Sequence, residues 1–234
     1  MERARRVLLK LSGEALAGEK KTGFDEATVK AVARQVKISV DQGVKVAIVI
    51  GGGNFWRGRN GADIDRVKAD QIGMLATVMN CLFTSEIFRT CGMETEVFTA
   101  FPCGTMTTPF SKDAANAAWD AGKVIFFGGG TGHPYFSTDT GVALRAIEME
   151  ADEILLAKAI DGIYDSDPKV NPNAKKYDTI AIEDVIARKL GVMDLAAAIL
   201  CMENHMPMSV FGLEGEDSIS EAMLGHITGT RVTV

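Results

Sequence analysis

Several signatures that would assign this chain at a glance are missing from it. Its four cysteines, Cys81, Cys91, Cys103 and Cys201, have none of the close C-x-x-C or Cys/His spacings with which a short loop wraps a zinc ion. They read as reduced, mostly buried thiols. No run reaches the ~18 apolar residues of a membrane span. The charged start, Met1 to Arg6, leads into a strand-like segment rather than a signal-peptide apolar stretch, so a cytoplasmic protein without a membrane partner is expected. Positive charge is also scarce. A net charge of -6 and a pI near 5.2 leave no extended basic face for nucleic acid, because Lys and Arg neutralising phosphates drive most such binding. The Walker G-x-x-x-x-G-K-[ST] loop is absent, and so is the protein-kinase set of H-R-D, D-F-G and G-x-G-x-x-G. A dinucleotide-binding turn fails as well, since the first strand-to-helix turn reads Ser12-Gly13-Glu14-Ala15-Leu16-Ala17-Gly18.

What is present is glycine at the ends of apolar runs. The 234 residues, 47% hydrophobic and 24% charged, suffice for one large core, with one domain over 1–234 expected rather than two small ones. Val7 to Leu11 stops at Ser12-Gly13, Val46 to Ile50 runs into Gly51-Gly52-Gly53, and Val124 to Phe127 meets Gly128-Gly129-Gly130. The second run has no polar face, as in a strand covered on both sides. Between such runs lie stretches of helical period. After Asp25, Val29, Val32, Ala33, Val36 and Val40 share a face that Gly43 ends, and further helices are predicted over Asp65 to Cys91, Lys112 to Ala121 and Thr138 to Met149. A strand at Ile154 to Leu156, a turn-rich segment from Asp165 to Asn173, helices near Ile182 to Lys189 and Leu195 to His205, and a strand at Met208 to Phe211 complete the order. This alternation predicts an α/β fold: a three-layer α/β/α sandwich on a mostly parallel sheet.

Open parallel sheets bind ligands outside the carboxyl ends of their strands, where three glycine loops would share one edge. Glycine lets backbone approach a ligand closely, and successive N–H groups in such a turn form an anion-binding concavity. Lys10 precedes the first loop and Arg57 follows Gly53 by four residues, so phosphates would meet two cations there. A single glycine loop is more often a tight turn; three on one edge, two of them with a cation, point to a phosphate ligand.

The segments Lys10-Leu11-Ser12-Gly13-Glu14-Ala15-Leu16, Gly51-Gly52-Gly53-Asn54 with Arg57-Gly58, and Gly73-Met74-Leu75-Ala76-Thr77-Val78-Met79-Asn80 resemble the bacterial UMP kinases of the amino-acid-kinase superfamily. Thr131 to Asp139, Asp161 to Pro168 and Val192 to Ala197 continue the resemblance in order over nearly the whole chain. It implies an acetylglutamate-kinase-like fold, a homohexamer in which helices pair subunits, and transfer of the ATP γ-phosphoryl group to UMP with Mg²⁺ carried by the ATP. By the same resemblance Lys10, Leu11, Ser12, Gly13, Gly53 and Arg57 meet the ATP phosphates, and Lys158, Tyr164 and Asp167 hold the adenosine end. Gly52 and Asp70 meet UMP, Asp70 through the ribose hydroxyls, while Thr131, Gly132, His133, Pro134, Tyr135, Phe136, Ser137 and Thr138 wrap its uracil and phosphate side. Allosteric activation by GTP and inhibition by UTP are family expectations.

Phosphoryl transfer needs two anions brought in line and their charge neutralised, with little covalent chemistry from the protein. Lys10, Arg57, Asp139 and Asp194 are therefore the expected catalytic residues, the cations acting on the phosphates. UMP offers an oxygen that is already ionised, so Asp139 reads as an orienter of Lys10 or of a metal-bound water rather than a base. Asp194 reads as a positioner of basic groups, with an N-cap as its plainer role. Two other activities suit the fold: ATP-dependent molybdate or oxyanion storage, against which the acceptor set Asp70 and Thr131 to Thr138 argues, and acyl-phosphate formation on a small carboxylate.

Overall fold

The computed structural model describes residues 3–56 and 63–234. Strand β1 (Arg6–Leu11) runs through the middle, parallel to β2 (Lys45–Ile50) on one side and β6 (Glu153–Lys158) on the other. Further strands are β3 (Thr95–Thr99), β4 (Thr108–Pro109), β5 (Val124–Gly128), β7 (Thr179–Ala181), β8 (Met208–Gly212) and β9 (Thr230–Thr233). Together they form one sheet in the order β4-β3-β5-β2-β1-β6-β8-β9-β7. Every pairing is parallel except β8 with β9.

The strict alternation of side chains along a strand divides the apolar residues between two cores. Val7, Leu9 and Leu11 pack with Val46, Ile48 and Ile50 on one face, against α1 (Gly13–Ala17), α2 (Glu26–Asp41), α3 (Arg66–Thr90) and α8 (Ser218–Met223). Leu8, Ala47 and Val49 face the other way, toward α4 (Lys112–Asp120), α5 (Thr138–Glu148), α6 (Ile182–Ala187) and α7 (Leu195–Glu203). Trp119 of α4 is 1% exposed and meets its one polar demand by donating its indole N–H to the Val46 carbonyl at 3.0 Å. The three-layer α/β/α sandwich is thus observed as expected.

What positions a site is the parting of the crossovers. The chain leaves β1 into the helix layer that holds α1 and α2, but leaves β5 into the opposite layer through α5. The carboxyl ends of β1, β2 and β5 are therefore left uncovered between the two helix layers, the place where parallel sheets hold ligands. Helix α3 borders that gap. Its 25 residues span about 38 Å, and Asp65 starts it by accepting the Lys68 N–H. Among the described residues no helix is long and apolar enough to cross a membrane.

Candidate active site

Lys10, near the end of β1, reaches Asp139 in the first turn of α5, with Nζ 3.1 Å from Oδ1. The side chains are only 15% and 21% exposed, so the pair ties strand to helix in a partly desolvated place. Ser137 starts α5 by accepting the N–H groups of Asp139 and Thr140, which fixes Asp139 opposite the lysine. Ser12 caps α1 in the same way through the Ala15 N–H at 3.1 Å.

Between these helix starts lies the second glycine loop. Gly52 rests on α3 so closely that a Cβ there would stand 2.9 Å from the Gly73 carbonyl oxygen and 3.0 Å from the Ala76 methyl. A cleft of about 350 Å³ opens above, floored by Gly51 to Gly53 and walled by α3 and by the segment from Gly130 to Asp139. That segment is stitched to α3. Asp70 Oδ2 accepts the Tyr135 N–H and the Arg66 Nε–H, each at 2.8 Å, and the Arg66 guanidinium lies 5.2 Å from the Tyr135 ring centre. Tyr135 sits in the left-handed region at φ +71°, uncommon for a residue with a side chain.

A second cleft of about 500 Å³ is lined by Lys158, Tyr164, Asp167, Pro168 and the turn from Arg188 to Val192. Tyr164 donates to Asp161 at 2.7 Å and Lys176 to its other oxygen at 2.9 Å, and these bonds hold the Asp161 carboxyl below its usual value. Lys158 stands between the clefts. Its ammonium donates to the Val192 carbonyl; burial pushes its pKa down, the charge of Asp139 pulls it back up, and Lys10 lowers it further. The net direction is down, because burial disfavours the charged ammonium.

The structure gathers most of the residues chosen from sequence. Lys10, Ser12, Gly13, Gly52, Gly53, Asp70, Thr131, His133, Phe136, Ser137, Thr138 and Asp139 line the first cleft, and Lys158, Tyr164 and Asp167 the second. Gly132, Pro134 and Tyr135 belong to the wall segment without lining the cleft. Leu11 does not line the cleft with its side chain, which is fully buried in the core, and its carbonyl accepts the Gly51 N–H, so it shapes the loop through its backbone. Asp194 takes the plainer of its two expected roles. Rather than holding basic groups it caps α7 through the Ala197 N–H and accepts the hydroxyls of Ser137 and Thr140. Burial opposes its charge, but these bonds outweigh it and hold the carboxyl below its usual value. Arg57 and Gly58 lie outside the described residues. Sequence reasoning missed Arg66 and the α3 residues Gly73, Met74 and Thr77 as cleft walls; the pairing of Arg66 with Asp70 at i,i+4 was the available signal.

Residues 5–212 match the amino acid kinase family. The chain belongs to that family. Among solved structures it is similar to the UMP kinase from Bacillus anthracis, with 38% identity, 99% of this chain and 97% of that one covered, and a TM-score of 0.94. The UMP kinase from Ureaplasma parvum is 36% identical over the full length of both chains, with a TM-score of 0.93. The uridylate kinase from Archaeoglobus fulgidus is 25% identical over 97% and 99% of the two chains, at 0.72.

Proposed function

We propose that this chain is a UMP kinase, reversibly transferring the γ-phosphoryl group of ATP to UMP to give UDP and ADP in pyrimidine nucleotide biosynthesis. The observation that carries the reading is two clefts that share a cationic junction. Lys10 lines one, Lys158 lines the other, and Asp139 acts electrostatically on both. ATP enters with its nucleoside in the Tyr164 and Asp167 cleft and its phosphates toward Lys10 and the Gly13 and Gly53 loops. UMP takes the first cleft, its ribose toward Asp70 and its base along the 131–138 segment. The likeness to UMP kinases over nearly the whole chain supports this assignment.

The chemistry asks for alignment and charge neutralisation. Lys10 and Lys158 supply positive charge where negative charge is transferred, and Arg57 is a third candidate. The acceptor phosphate, with a second pKa of ~6, is ionised at neutral pH and needs no base. Asp139 therefore holds Lys10 in place. Among the described residues no cluster of three or more His, Cys, Asp or Glu could cage a metal. Mg²⁺ is typically bound by one or two carboxylates together with substrate phosphates, and Asp139, beside Lys10, is the carboxylate that would hold it.

We extend the proposal to a cytoplasmic, single-domain homohexamer subject to GTP activation and UTP inhibition. Ile72, Leu75 and Met79, which are 40%, 52% and 46% exposed at i, i+3 and i+7 on α3, give a subunit-pairing helix an apolar face. The test is ADP production with Mg-ATP against UMP, CMP, dUMP, AMP and acetylglutamate, run beside Asp70→Asn. UMP-selective turnover with weakened UMP binding in the variant is expected; ADP that appears only with acetylglutamate, or with no acceptor, would sink the reading.

A further inference from the structure

Two of the buried polar side chains on helix α3 reach the ligand loops, and the reaction as described does not use them. Asn80 is 0% exposed and Thr77 is 6% exposed. Burying such groups is unfavourable unless they are bonded, and both are bonded to the ligand loops. Asn80 donates to the Gly51 carbonyl at 2.7 Å and forms a reciprocal amide pair with Asn54, at 2.8 and 3.0 Å. Asn54 in turn donates to the Gly23 carbonyl at 2.8 Å. Less than one turn away, Thr77 Oγ1 accepts the Gly129 N–H at 2.9 Å and donates to the Met74 carbonyl at 2.7 Å.

Gly73, Ala76, Thr77 and Asn80 share a helix face, standing at i, i+3, i+4 and i+7. The two small residues let Gly52 lie against the helix; the two polar ones bond the backbone on either side of the cleft. Gly51 leads into the loop that floors the cleft, and Gly129 leads into the acceptor segment.

We infer that α3 is the gauge that sets the separation of these two loops, with Asn80 and Thr77 as positioning residues for the transfer step. The inference rests on the kinase reading above. Asn80 does not line the cleft, and Thr77, which does, acts here through the Gly129 N–H. Each anchors the peptide group at the base of its loop to the same helix, so the distance between phosphoryl donor and acceptor is set by that helix. Near-attack geometry is sensitive at this scale, a misplacement of about 1 Å costing on the order of 10²-fold in rate.

The experiment compares wild type, Thr77→Val, Thr77→Ser and Asn80→Ala. It measures kcat with UMP, equilibrium binding of UMP and of a non-hydrolysable Mg-ATP analogue, and ADP released without acceptor. Valine keeps the shape of threonine and removes the acceptor for the Gly129 N–H; serine restores it. Thr77→Val is expected to lower kcat by about tenfold or more, with both affinities within about threefold of wild type and a larger share of ATP lost to water. Thr77→Ser is expected to recover most of the rate. A Thr77→Val kcat within about twofold of wild type overturns the inference, as does a fall that merely follows weakened binding or that serine fails to restore. Should Asn80→Ala not fold, the Thr77 pair decides alone. Wild-type protein without UMP-dependent turnover defeats the kinase reading instead, so the two failures are distinct.

Discussion

Gly13→Ala tests the packing beneath the cleft most directly. A methyl at this position would stand 2.3 Å from Asn54 Oδ1 and 2.4 Å from the Gly51 carbonyl oxygen. Heavy atoms pack comfortably at about 3.5 Å or more, so something must retreat by roughly 1 Å. Neither neighbour can do so freely. Asn54 is 2% exposed and locked in the amide pair with Asn80, and the Gly51 carbonyl is backbone that already accepts from Asn80. Overpacking costs about 1–3 kcal/mol, and each hydrogen bond spoiled adds roughly 1 kcal/mol, giving about 3 kcal/mol in all. For a chain of this length that lowers Tm by about 6–12 °C in a thermal melt. The same displacement moves the cleft floor, so kcat should fall on the order of 100-fold in a coupled ADP assay below the melt. Gly51→Ala is the comparison. Its methyl would find neighbours at 3.7–3.9 Å, Thr138 Oγ1 among them, an ordinary contact. Stability should stay within about 0.5 kcal/mol while nucleotide binding weakens, because the methyl faces the cleft. A Gly13→Ala protein that melts and turns over like wild type would refute the packing argument.

Two further outcomes follow from the charged groups. Asp194→Ala removes a cap and the acceptor for two hydroxyls, and should cost about 2–3 kcal/mol in urea unfolding at neutral pH. Since the folded carboxyl titrates below its ordinary value of ~3.9, this contribution is present above that value and fades as pH falls through the folded one. A wild-type advantage that persisted undiminished into strong acid would contradict it. Lys158, lowered by burial, makes the ligand-free protein gain stability as pH rises between its folded value and the ordinary ~10.4, because the unfolded chain then binds the extra proton. An ATP phosphate reverses the shift, so Mg-ATP affinity should decline as pH rises through the lowered value, and the decline should flatten in Lys158→Met; identical pH profiles by calorimetry would rule this out.

The fold was legible wherever burial on both faces left an unbroken apolar run. Val46 to Ile50 and Val124 to Phe127 could be little else but central strands, and α3 showed its full length between Asp65 and Cys91. Strands β3, β4, β7 and β9 were not visible, for they sit toward the sheet margins where Thr95, Glu96, Thr108 and Arg231 interleave polar residues and lengths drop to two to five. Helices α1 and α8 are too short to display a period. In the site, glycine and charge pointed to the edge where the first cleft lies, because strand ends converge there whatever the details of packing. Asp194 left two readings open because a carboxylate that caps a helix and one that steers a lysine look alike in sequence; the cap on α7 and the hydroxyls of Ser137 and Thr140, arriving from a different helix, are visible only in the fold.

Asp70 has a consequence for how a substrate is received. Its carboxylate already serves the Tyr135 amide and Arg66. If, as proposed, a sugar hydroxyl takes Oδ2, it arrives by exchange rather than by addition, and what it displaces is the stitch holding the 131–138 segment to α3. Affinity at this position is then a difference between two hydrogen-bond sets, modest even when each bond is good. Under the kinase reading, a Tyr135 released from that stitch would be free to leave its left-handed backbone as the substrate settles.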